Sequence, residues 1–236
     1  MLTKTNLHQY QLNVLEKAKQ IPHLGLFMEP GLGKTVTALT IIEESAKGKT
    51  LVIAPKRVAE SVWAQEASKW KHLSSLKVGL LMGSPSQRLK VLQSSLDVYV
   101  INVENVAWLV DNWIDNKFQY LIVDESSRFK DPSTKRFKAL KKVLRQFSKR
   151  IILTGTPTPQ GYADLWAQVG ILDLGERLEK TLTKFRDKYM FVAERNRHTG
   201  VVYKWALNPG ADVLINSRIG DICFSLLAKD YLELPK

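Results

Sequence analysis

Short apolar runs recur along the first two thirds of the chain, and longer stretches with apolar residues at helical spacing separate them. The short runs lack strict alternation of apolar and polar positions, which is typical of strands buried on both faces of a parallel sheet. They predict strands at residues 24–28, 50–54, 78–82, 98–101, 120–123 and 150–154. The stretches between them predict helices at residues 7–19, 36–46, 58–70, 86–94, 105–113 and 133–147.

This alternation predicts an α/β domain with a mostly parallel sheet and helices on both faces. Ligands of such domains bind outside the carboxyl ends of the strands. After residue 158 the pattern changes, with predicted helices at 162–172, 178–192 and 213–227 and a small hairpin at 195–205. We therefore expect an α/β lobe at 1–158, a mainly helical extension at 159–236, and no second strand–helix sheet in the 236 residues.

The composition is that of a globular protein without an intramolecular disulfide. Hydrophobic residues make up 44% and charged residues 25%, an ordinary balance for a water-soluble domain. A single cysteine, Cys223, excludes an intramolecular disulfide and a cysteine metal cluster. No stretch approaches the ~20 apolar residues of a membrane helix, and the first residues show no apolar signal core. We expect a cytoplasmic protein of a bacterium or of a virus-infected host, or a nuclear one in a eukaryote.

Positive charge is concentrated in one segment. The net charge is +12, and residues 125–150 alone hold ten basic and two acidic side chains. In the predicted helix, with Asp131 as its cap and Pro132 as its first residue, Phe137, Leu140, Leu144 and Phe147 fall on one face. The opposite face, called the basic face below, carries Lys135, Lys138, Lys142 and Arg145. It predicts a polyanion partner, and a merely solvated helix face is the alternative.

The first candidate site is the segment 28–35, which reads Met-Glu-Pro-Gly-Leu-Gly-Lys-Thr between a predicted strand and a predicted helix. This layout is typical of a phosphate-binding loop. Its glycines Gly31 and Gly33 let backbone N–H groups face phosphate oxygens, and the helix N-terminus adds partial positive charge. Lys34 can reach the terminal phosphates, and the Thr35 hydroxyl can hold Mg²⁺. The usual loop begins with glycine where this chain has Met28, and an ordinary turn is the alternative.

The second candidate site is the carboxylate pair that follows the predicted strand at 120–123. Asp124 would position Mg²⁺ through water, and Glu125 would orient and polarise an attacking water. The alternative is an acidic turn after a strand.

The third candidate segment ends the predicted strand at 150–154. Thr154, Gly155 and Thr156 are small and can approach both the carboxylate pair and a terminal phosphate, and a hydroxyl can exchange hydrogen-bond partners. A strand-ending turn is the alternative.

Together these segments make the chain resemble the N-terminal RecA-like lobe of the Swi/Snf-type DNA-dependent ATPases and translocases of helicase superfamily two. The resemblance rests on motifs that keep their order along the chain: Leu7 with Tyr10-Gln11, the loop at 31–35, Ala54-Pro55 with Trp63, Glu66 and Trp70, Asp124-Glu125 with Arg128 and Lys130, the segment 153–157, Leu165-Trp166, and Leu234-Pro235-Lys236.

The resemblance implies an ATP site and a use for each motif. Gln11 would recognise adenine, and Gly31, Leu32, Gly33, Lys34 and Thr35 would bind the phosphates with Mg²⁺. Asp124 and Glu125 would carry the hydrolysis together with Lys34. The family has a histidine where this chain has Ser127, so coupling of the carboxylate pair to Thr154 would either use Ser127 or differ in strength. By the same resemblance, Thr154, Gly155 and Thr156 would relay the nucleotide state to the DNA groove.

The resemblance also implies a nucleic-acid partner, most simply double-stranded DNA. Lys56, Arg57 and Asn102 would contact its backbone, with the basic face as a further contact. Trp63 and Trp70 lie seven residues apart and predict core packing, with base stacking as the alternative. Motors of this family use a second RecA-like lobe, so we expect the chain alone to bind ATP weakly and hydrolyse it poorly.

The leading interpretation is therefore an ATP-binding motor lobe of a double-stranded-DNA translocase. One alternative is a non-hydrolysing module that binds nucleic acid or protein. A second is a helicase that separates strands. The departures from the family pattern are Met28, Ser126-Ser127, Asn102 and His8, and none of them removes Lys34, Asp124 or Glu125.

Overall fold

The structure is a computed structural model that describes residues 1–45, 48–115, 117–196 and 198–231. Nine α-helices are described in these ranges: α1 Gln9–Gln20, α2 Lys34–Ser45, α3 Lys56–Lys69, α4 Pro85–Gln93, α5 Val106–Asp111, α6 Lys135–Val143, α7 Ala163–Asp173, α8 Leu182–Tyr189 and α9 Ala211–Ile219. The strands there are β1 His23–Met28, β2 Thr50–Ala54, β3 Val78–Leu80, β4 Val98–Asn102, β5 Tyr120–Asp124, β6 Lys149–Thr154, β7 Met190–Arg195, β8 Val202–Leu207 and β9 Cys223–Leu226. The last motif of the family resemblance, at 234–236, lies outside the described residues.

Seven strands form one parallel sheet in the order β3-β4-β2-β5-β6-β1-β9. The chain therefore leaves β1 at one side, crosses to β2 and β4, and returns to β5 and β6 beside β1. This crossing brings the carboxyl ends of β1, β5 and β6 next to one another, and these are the ends that carry the three candidate segments.

Both faces of the sheet are buried, as the apolar runs predicted. In β2, Leu51 and Ile53 belong to the core on one face, with residues from α5, α6 and α7. Val52 and Ala54 point to the other face, where residues from α1, α2 and α3 pack. The α/β architecture with helices on both faces is confirmed.

The segment predicted as a helix at 213–227 is only partly helical. α9 ends at Ile219, and β9 joins the sheet beside β1, with Gly25 opposite Cys223. A Cβ added to Gly25 would lie 2.7 Å from Cys223 Sγ, so glycine at this position lets the two strands approach. The prediction was wrong because a short, mostly apolar run such as 222–227 fits a buried strand and a helix equally well.

The start of α6 also differs from the prediction. Thr134 caps the helix and accepts a hydrogen bond from the backbone N–H of Phe137 at 3.4 Å, so Asp131 and Pro132 stand before the helix. Asp131 instead accepts hydrogen bonds from the backbone N–H and hydroxyl of Ser133 at 2.8 and 2.7 Å. Asp131 and Thr134 are both good helix caps. Because Asp131 is used in a tight turn with Ser133, the helix starts three residues later than predicted.

The strands β7 and β8 form a separate antiparallel hairpin. It follows α8, which ends at Tyr189, so the helix predicted at 178–192 is shorter than expected. None of the helices in the described ranges is long and apolar enough to cross a membrane.

Candidate active site

The loop between β1 and α2 has the backbone of a phosphate cradle. Gly31 and Gly33 have φ of 88° and 71°, in the left-handed region that disfavours residues with a Cβ. A Cβ on Gly33 would also lie 2.5 Å from Gln11 Nε2. Met28, the off-pattern position, is the last residue of β1 and is fully buried, so its side chain serves the core.

Lys34 and Thr35 are the first two residues of α2. The Lys34 ammonium spans the loop and donates a hydrogen bond to the Met28 carbonyl at 2.7 Å. Burial lowers the pKa of Lys34, and the negative charges of Asp124 and Glu125 oppose this shift. The lysine is therefore held over the loop by its hydrogen bond to Met28, and it interacts electrostatically with Asp124 and Glu125.

Gln11 contacts the loop from α1. Its amide nitrogen donates to the Leu32 carbonyl at 3.4 Å and to the Thr37 hydroxyl at 3.3 Å, and its oxygen accepts from the His8 backbone N–H at 2.8 Å. Leu32 is fully buried, and its carbonyl also accepts from the Tyr10 hydroxyl at 3.3 Å. The structure thus brings Gln11 to the loop, and adenine recognition stays a prediction.

Asp124 ends β5 and is buried, with 7% of its surface exposed. Burial raises the pKa of its carboxyl, and the Trp63 indole N–H, which donates to Oδ2 at 3.1 Å, works in the opposite direction. Trp63 lies in the core, as predicted for its packing, and also orients the carboxylate. Sequence reasoning missed this second role because Trp63 and Asp124 are 61 residues apart.

Glu125 follows with left-handed backbone angles, φ 54° and ψ 58°. A residue other than glycine in this region stores strain of about 1–3 kcal/mol. Its Oε1 accepts hydrogen bonds from the Ser127 hydroxyl at 2.7 Å and the Thr154 hydroxyl at 2.9 Å. The backbone turn and the two hydroxyls fix the direction of this carboxylate.

The segment 154–156 touches both of the other segments. Thr154 Oγ1 donates to Glu125 and accepts from the Thr156 backbone N–H at 3.1 Å. A Cβ on Gly155 would lie 3.1 Å from Pro30 Cδ and 3.3 Å from the Met28 carbonyl, so glycine permits this approach to the loop. The three candidate segments therefore meet at one edge of the sheet.

Two polar residues beside this edge form a further link. The Ser126 hydroxyl donates to Gln168 Oε1 at 2.7 Å, and Gln168 Nε2 donates to the Pro157 carbonyl at 2.7 Å. Both side chains are fully buried. The sequence contains no local signal for Gln168, which lies on α7, 42 residues after Ser126.

The candidate nucleic-acid contacts differ in accessibility. Lys56 and Arg57 are exposed at the start of α3, and all four residues of the basic face are exposed on α6 and the turn after it. Asn102 is 6% exposed, and its amide donates to Glu104 at 2.8 Å and accepts from Asn105 at 2.5 Å. Its side chain is thus hydrogen-bonded inside the lobe, and the DNA contact expected of Asn102 stays a prediction.

The residues at this edge fit a nucleotide with Mg²⁺. The loop offers backbone N–H groups and an ammonium to phosphate, and Thr35 and Asp124 offer oxygen ligands. The structure shows no group of three or more acidic, histidine or cysteine side chains that could hold a metal among its described residues. Mg²⁺ bound to nucleotide phosphates takes only one or two protein carboxylates, so this donor set suffices.

The sheet order, the loop after β1 and the carboxylates after β5 define the class of P-loop NTPase lobes with a RecA-like fold. Within this class, the chain can be assigned to one family. The chain belongs to the SNF2-related domain family, whose profile matches residues 9–204.

Individual relatives agree with this assignment. Protein p41 of Acyrthosiphon pisum secondary endosymbiont phage 1 is 34% identical over 240 residues, which cover 96% of this chain and 52% of p41. The ISWI chromatin-remodeling complex ATPase ISW1 of Saccharomyces cerevisiae is 29% identical over 156 residues, which cover 61% of this chain and 13% of that protein.

Among solved structures, the Sulfolobus solfataricus SWI2/SNF2 ATPase core in complex with dsDNA superimposes with a TM-score of 0.75. The two sequences are 24% identical, and the match covers 94% of this chain and 45% of that one, so the likeness shows the fold. This chain therefore spans about half the length of p41 and of the solved core.

Proposed function

We propose that the chain is the ATP-binding lobe of a DNA-dependent ATPase that translocates along double-stranded DNA. One observation carries the proposal. Lys34, Asp124, Glu125 and Thr154 come from three segments that are distant in sequence, and the fold places them at the adjacent carboxyl ends of β1, β5 and β6. The bond from Thr154 to Glu125 and the effect of both carboxylates on the pKa of Lys34 support a single site for these residues.

ATP binding is assigned to the loop and α1. The backbone N–H groups of Gly31, Leu32 and Gly33 would hold the phosphates at the N-terminus of α2. Lys34 would exchange its bond to the Met28 carbonyl for the terminal phosphates. Gln11, already in contact with the loop, would read the adenine.

Hydrolysis is assigned to the two carboxylates. Glu125, fixed by Ser127 and Thr154, would orient a water and accept its proton. Thr35, and Asp124 through water, would hold Mg²⁺, which would supply neutralising charge to the phosphates. Thr154, Gly155, Thr156 and Ser127 would pass the state of Glu125 to the neighbouring elements.

DNA binding is assigned to the exposed cations Lys56 and Arg57 and to the basic face. Lysine and arginine contacts to phosphates give affinity without sequence preference. The Sulfolobus solfataricus core was solved with dsDNA, which supports duplex DNA as the partner. The phage origin of p41 supports a host cytoplasm as the place of action.

Efficient turnover is expected to need a second lobe. An arginine supplied from outside a phosphate site is worth about 10³–10⁵ in rate in related systems. We therefore propose that this chain alone binds ATP weakly and cleaves it slowly. Robust DNA-stimulated turnover by the 236 residues alone would contradict this part of the proposal.

The function is tested by single-turnover cleavage of radiolabelled Mg·ATP with the chain in excess. Glu125→Gln should bind ATP and leave it uncleaved, because the amide keeps the shape of the side chain but cannot accept the proton. Lys34→Ala should weaken the binding itself, because it removes the ammonium that would meet the terminal phosphates. Cleavage by Glu125→Gln at the wild-type rate would exclude the proposed role of Glu125, and a wild-type chain that binds DNA but no ATP would support the non-hydrolysing module.

Strand separation is distinguished from translocation with two substrates. The protein that contains this lobe together with a second one should displace a third strand from a triplex and leave an ordinary duplex annealed. Displacement of a duplex strand would support the helicase alternative.

A further inference from the structure

Gln168 is a fully buried amide on α7, and three of its contacts are hydrogen bonds. Its oxygen accepts from the Ser126 hydroxyl at 2.7 Å, and its nitrogen donates to the carbonyls of Pro157 and Asp164 at 2.7 and 2.9 Å. Rotating the amide by 180° would set its oxygen against two carbonyl oxygens. The orientation is therefore fixed, and neither the side chain nor its partners carry a charge in these bonds.

The partners of Gln168 lie next to two of the three candidate segments. Ser126 directly follows Glu125, and Pro157 is the third residue after Thr154. Thr154 already joins the two segments through its bond to Glu125 at 2.9 Å. Residues 124–126 and 154–157 are therefore linked twice. Thr154 makes one link through Glu125, and Gln168 makes the other by bonding to both Ser126 and Pro157.

The second link holds a strained part of the backbone. Glu125 has left-handed angles with φ 54°, and such a conformation persists only where the surroundings hold it. Ser126 is the next residue, and its side chain is anchored to α7. Loss of this anchor would let the turn relax and would move the Glu125 carboxylate.

Packing alone does not account for a glutamine here. Its neighbours on α7, Ala167 and Val169, are apolar and fully buried. A buried amide costs free energy unless it is hydrogen-bonded, and an apolar side chain of similar volume would fill the same space. The three bonds offset that cost, and their geometry is what a leucine would not supply.

We propose that Gln168 is a positioning residue for ATP hydrolysis: together with Ser126 it fixes the direction of Glu125 relative to Thr154 and the loop. The inference rests on the proposed ATPase function. Gln168 touches neither nucleotide nor water in this role, and it acts through Ser126 and Pro157.

The test uses Gln168→Leu, Ser126→Ala and the double variant. Single-turnover cleavage of Mg·ATP is measured at rising concentrations of the chain, so that the maximal rate and the half-saturating concentration separate. We expect Gln168→Leu to lower the maximal rate by about tenfold, the equivalent of one hydrogen bond that orients the reacting group. The half-saturating concentration should stay within about twofold, because the loop that binds the phosphates is unchanged.

The double variant tests whether the two side chains act through each other. If they do, Ser126→Ala combined with Gln168→Leu is no slower than Gln168→Leu alone. Val169→Ala is the matched control, because it removes buried volume from the same helix without a polar bond. It should lower thermal stability and leave the rate unchanged well below the melting temperature.

The outcomes separate this inference from the function on which it rests. Wild-type rates in Gln168→Leu and Ser126→Ala, additive losses in the double variant, or an equal loss in Val169→Ala would overturn the role of Gln168. If the wild-type chain cleaves no ATP and Lys34→Ala behaves the same, the proposed ATPase function itself is overturned. Should Gln168→Leu not fold, the smaller change Ser126→Ala decides with the same rate measurement.

Discussion

Two neighbouring carboxylates at the end of β5 lie in different surroundings. Asp124 is buried and receives one indole N–H, and burial raises its pKa. Glu125 is half-buried and receives two hydroxyl hydrogen bonds. Distinct surroundings are how adjacent carboxylates take distinct roles in catalysis. This difference supports Asp124 as the metal-side group and Glu125 as the group that faces the water.

Trp63→Phe should shift the pH dependence of Mg-supported ATP binding. The indole hydrogen bond favours the ionised form of Asp124, so its loss raises the pKa of that carboxyl further. Metal binding needs the ionised form, so binding should disappear at a higher pH than in the wild type as the pH falls. Fluorescent ATP titrations with Mg²⁺ at several pH values measure the shift.

Trp70→Phe is the control for this shift. Its indole N–H donates to Glu66 at 3.0 Å, and Trp70 also lies in the core. The acid limb of ATP binding should coincide with that of the wild type. Equal curves for Trp63→Phe and the wild type would remove Trp63 from the site.

Among the elements, β9 changes the picture of the loop most. It pairs with β1, and the turn after it reaches Glu29, whose Oε2 accepts from the Ala228 backbone N–H at 2.6 Å. β9 and the turn after it therefore pack against β1 and the start of the loop at 28–35.

Gly25→Ala should destabilise the lobe by about 1–3 kcal/mol, because the added methyl overpacks the contact between β1 and β9. The nearest atom is Cys223 Sγ, so Cys223→Ala combined with Gly25→Ala should recover part of the loss. Urea denaturation measures both variants. A neutral Gly25→Ala, or a double variant no better than the single one, would argue against the pairing of Gly25 with Cys223.

The sequence predicted most elements because their signals are local. The strands at 50–54 and 120–123 were found within one residue, since buried parallel strands are short apolar runs. β9 was missed because its run of four residues has no period to distinguish strand from helix. The start of α6 was misplaced because Asp131 and Thr134 are both good caps, and only the turn at Ser133 decides between them.

The site was predictable where its residues stand in local motifs, and not where they come from distant elements. Lys34, Asp124 and Glu125 stand in motifs whose spacing can be read along the chain. Trp63 and Gln168 reach the site from other elements, so their roles depend on which helix packs over which strand end. The hydrogen bonds that join Asn102 to Glu104 and Asn105 have no signature in a motif, so the sequence alone did not indicate them.

At the scale of the whole molecule, the net charge of +12 is expressed partly in one exposed surface, the basic face of α6. Lys138→Ala combined with Lys142→Ala should weaken binding of duplex DNA equally for all sequences. The slope of log affinity against log salt should fall by about 0.9 for each lost phosphate contact. Fluorescence anisotropy at several salt concentrations measures it.

Lys90→Ala is the control for this surface, because Lys90 is exposed on α4 and lies outside the basic face. Its salt slope should equal that of the wild type. An unchanged slope in the variant of Lys138 and Lys142 would assign the basic face to solvent, the alternative that the sequence left open.

The central claim is that the loop at 28–35 binds ATP in the folded lobe. Isothermal titration calorimetry with Mg²⁺ and a non-hydrolysable ATP analogue tests it most directly, on the wild type, Lys34→Ala and Lys90→Ala. We predict binding to the wild type and to Lys90→Ala, and an affinity about 10–100-fold lower for Lys34→Ala, the worth of one charged hydrogen-bond donor. Equal affinities for Lys34→Ala and the wild type, or no binding to the folded wild-type chain, would contradict the account.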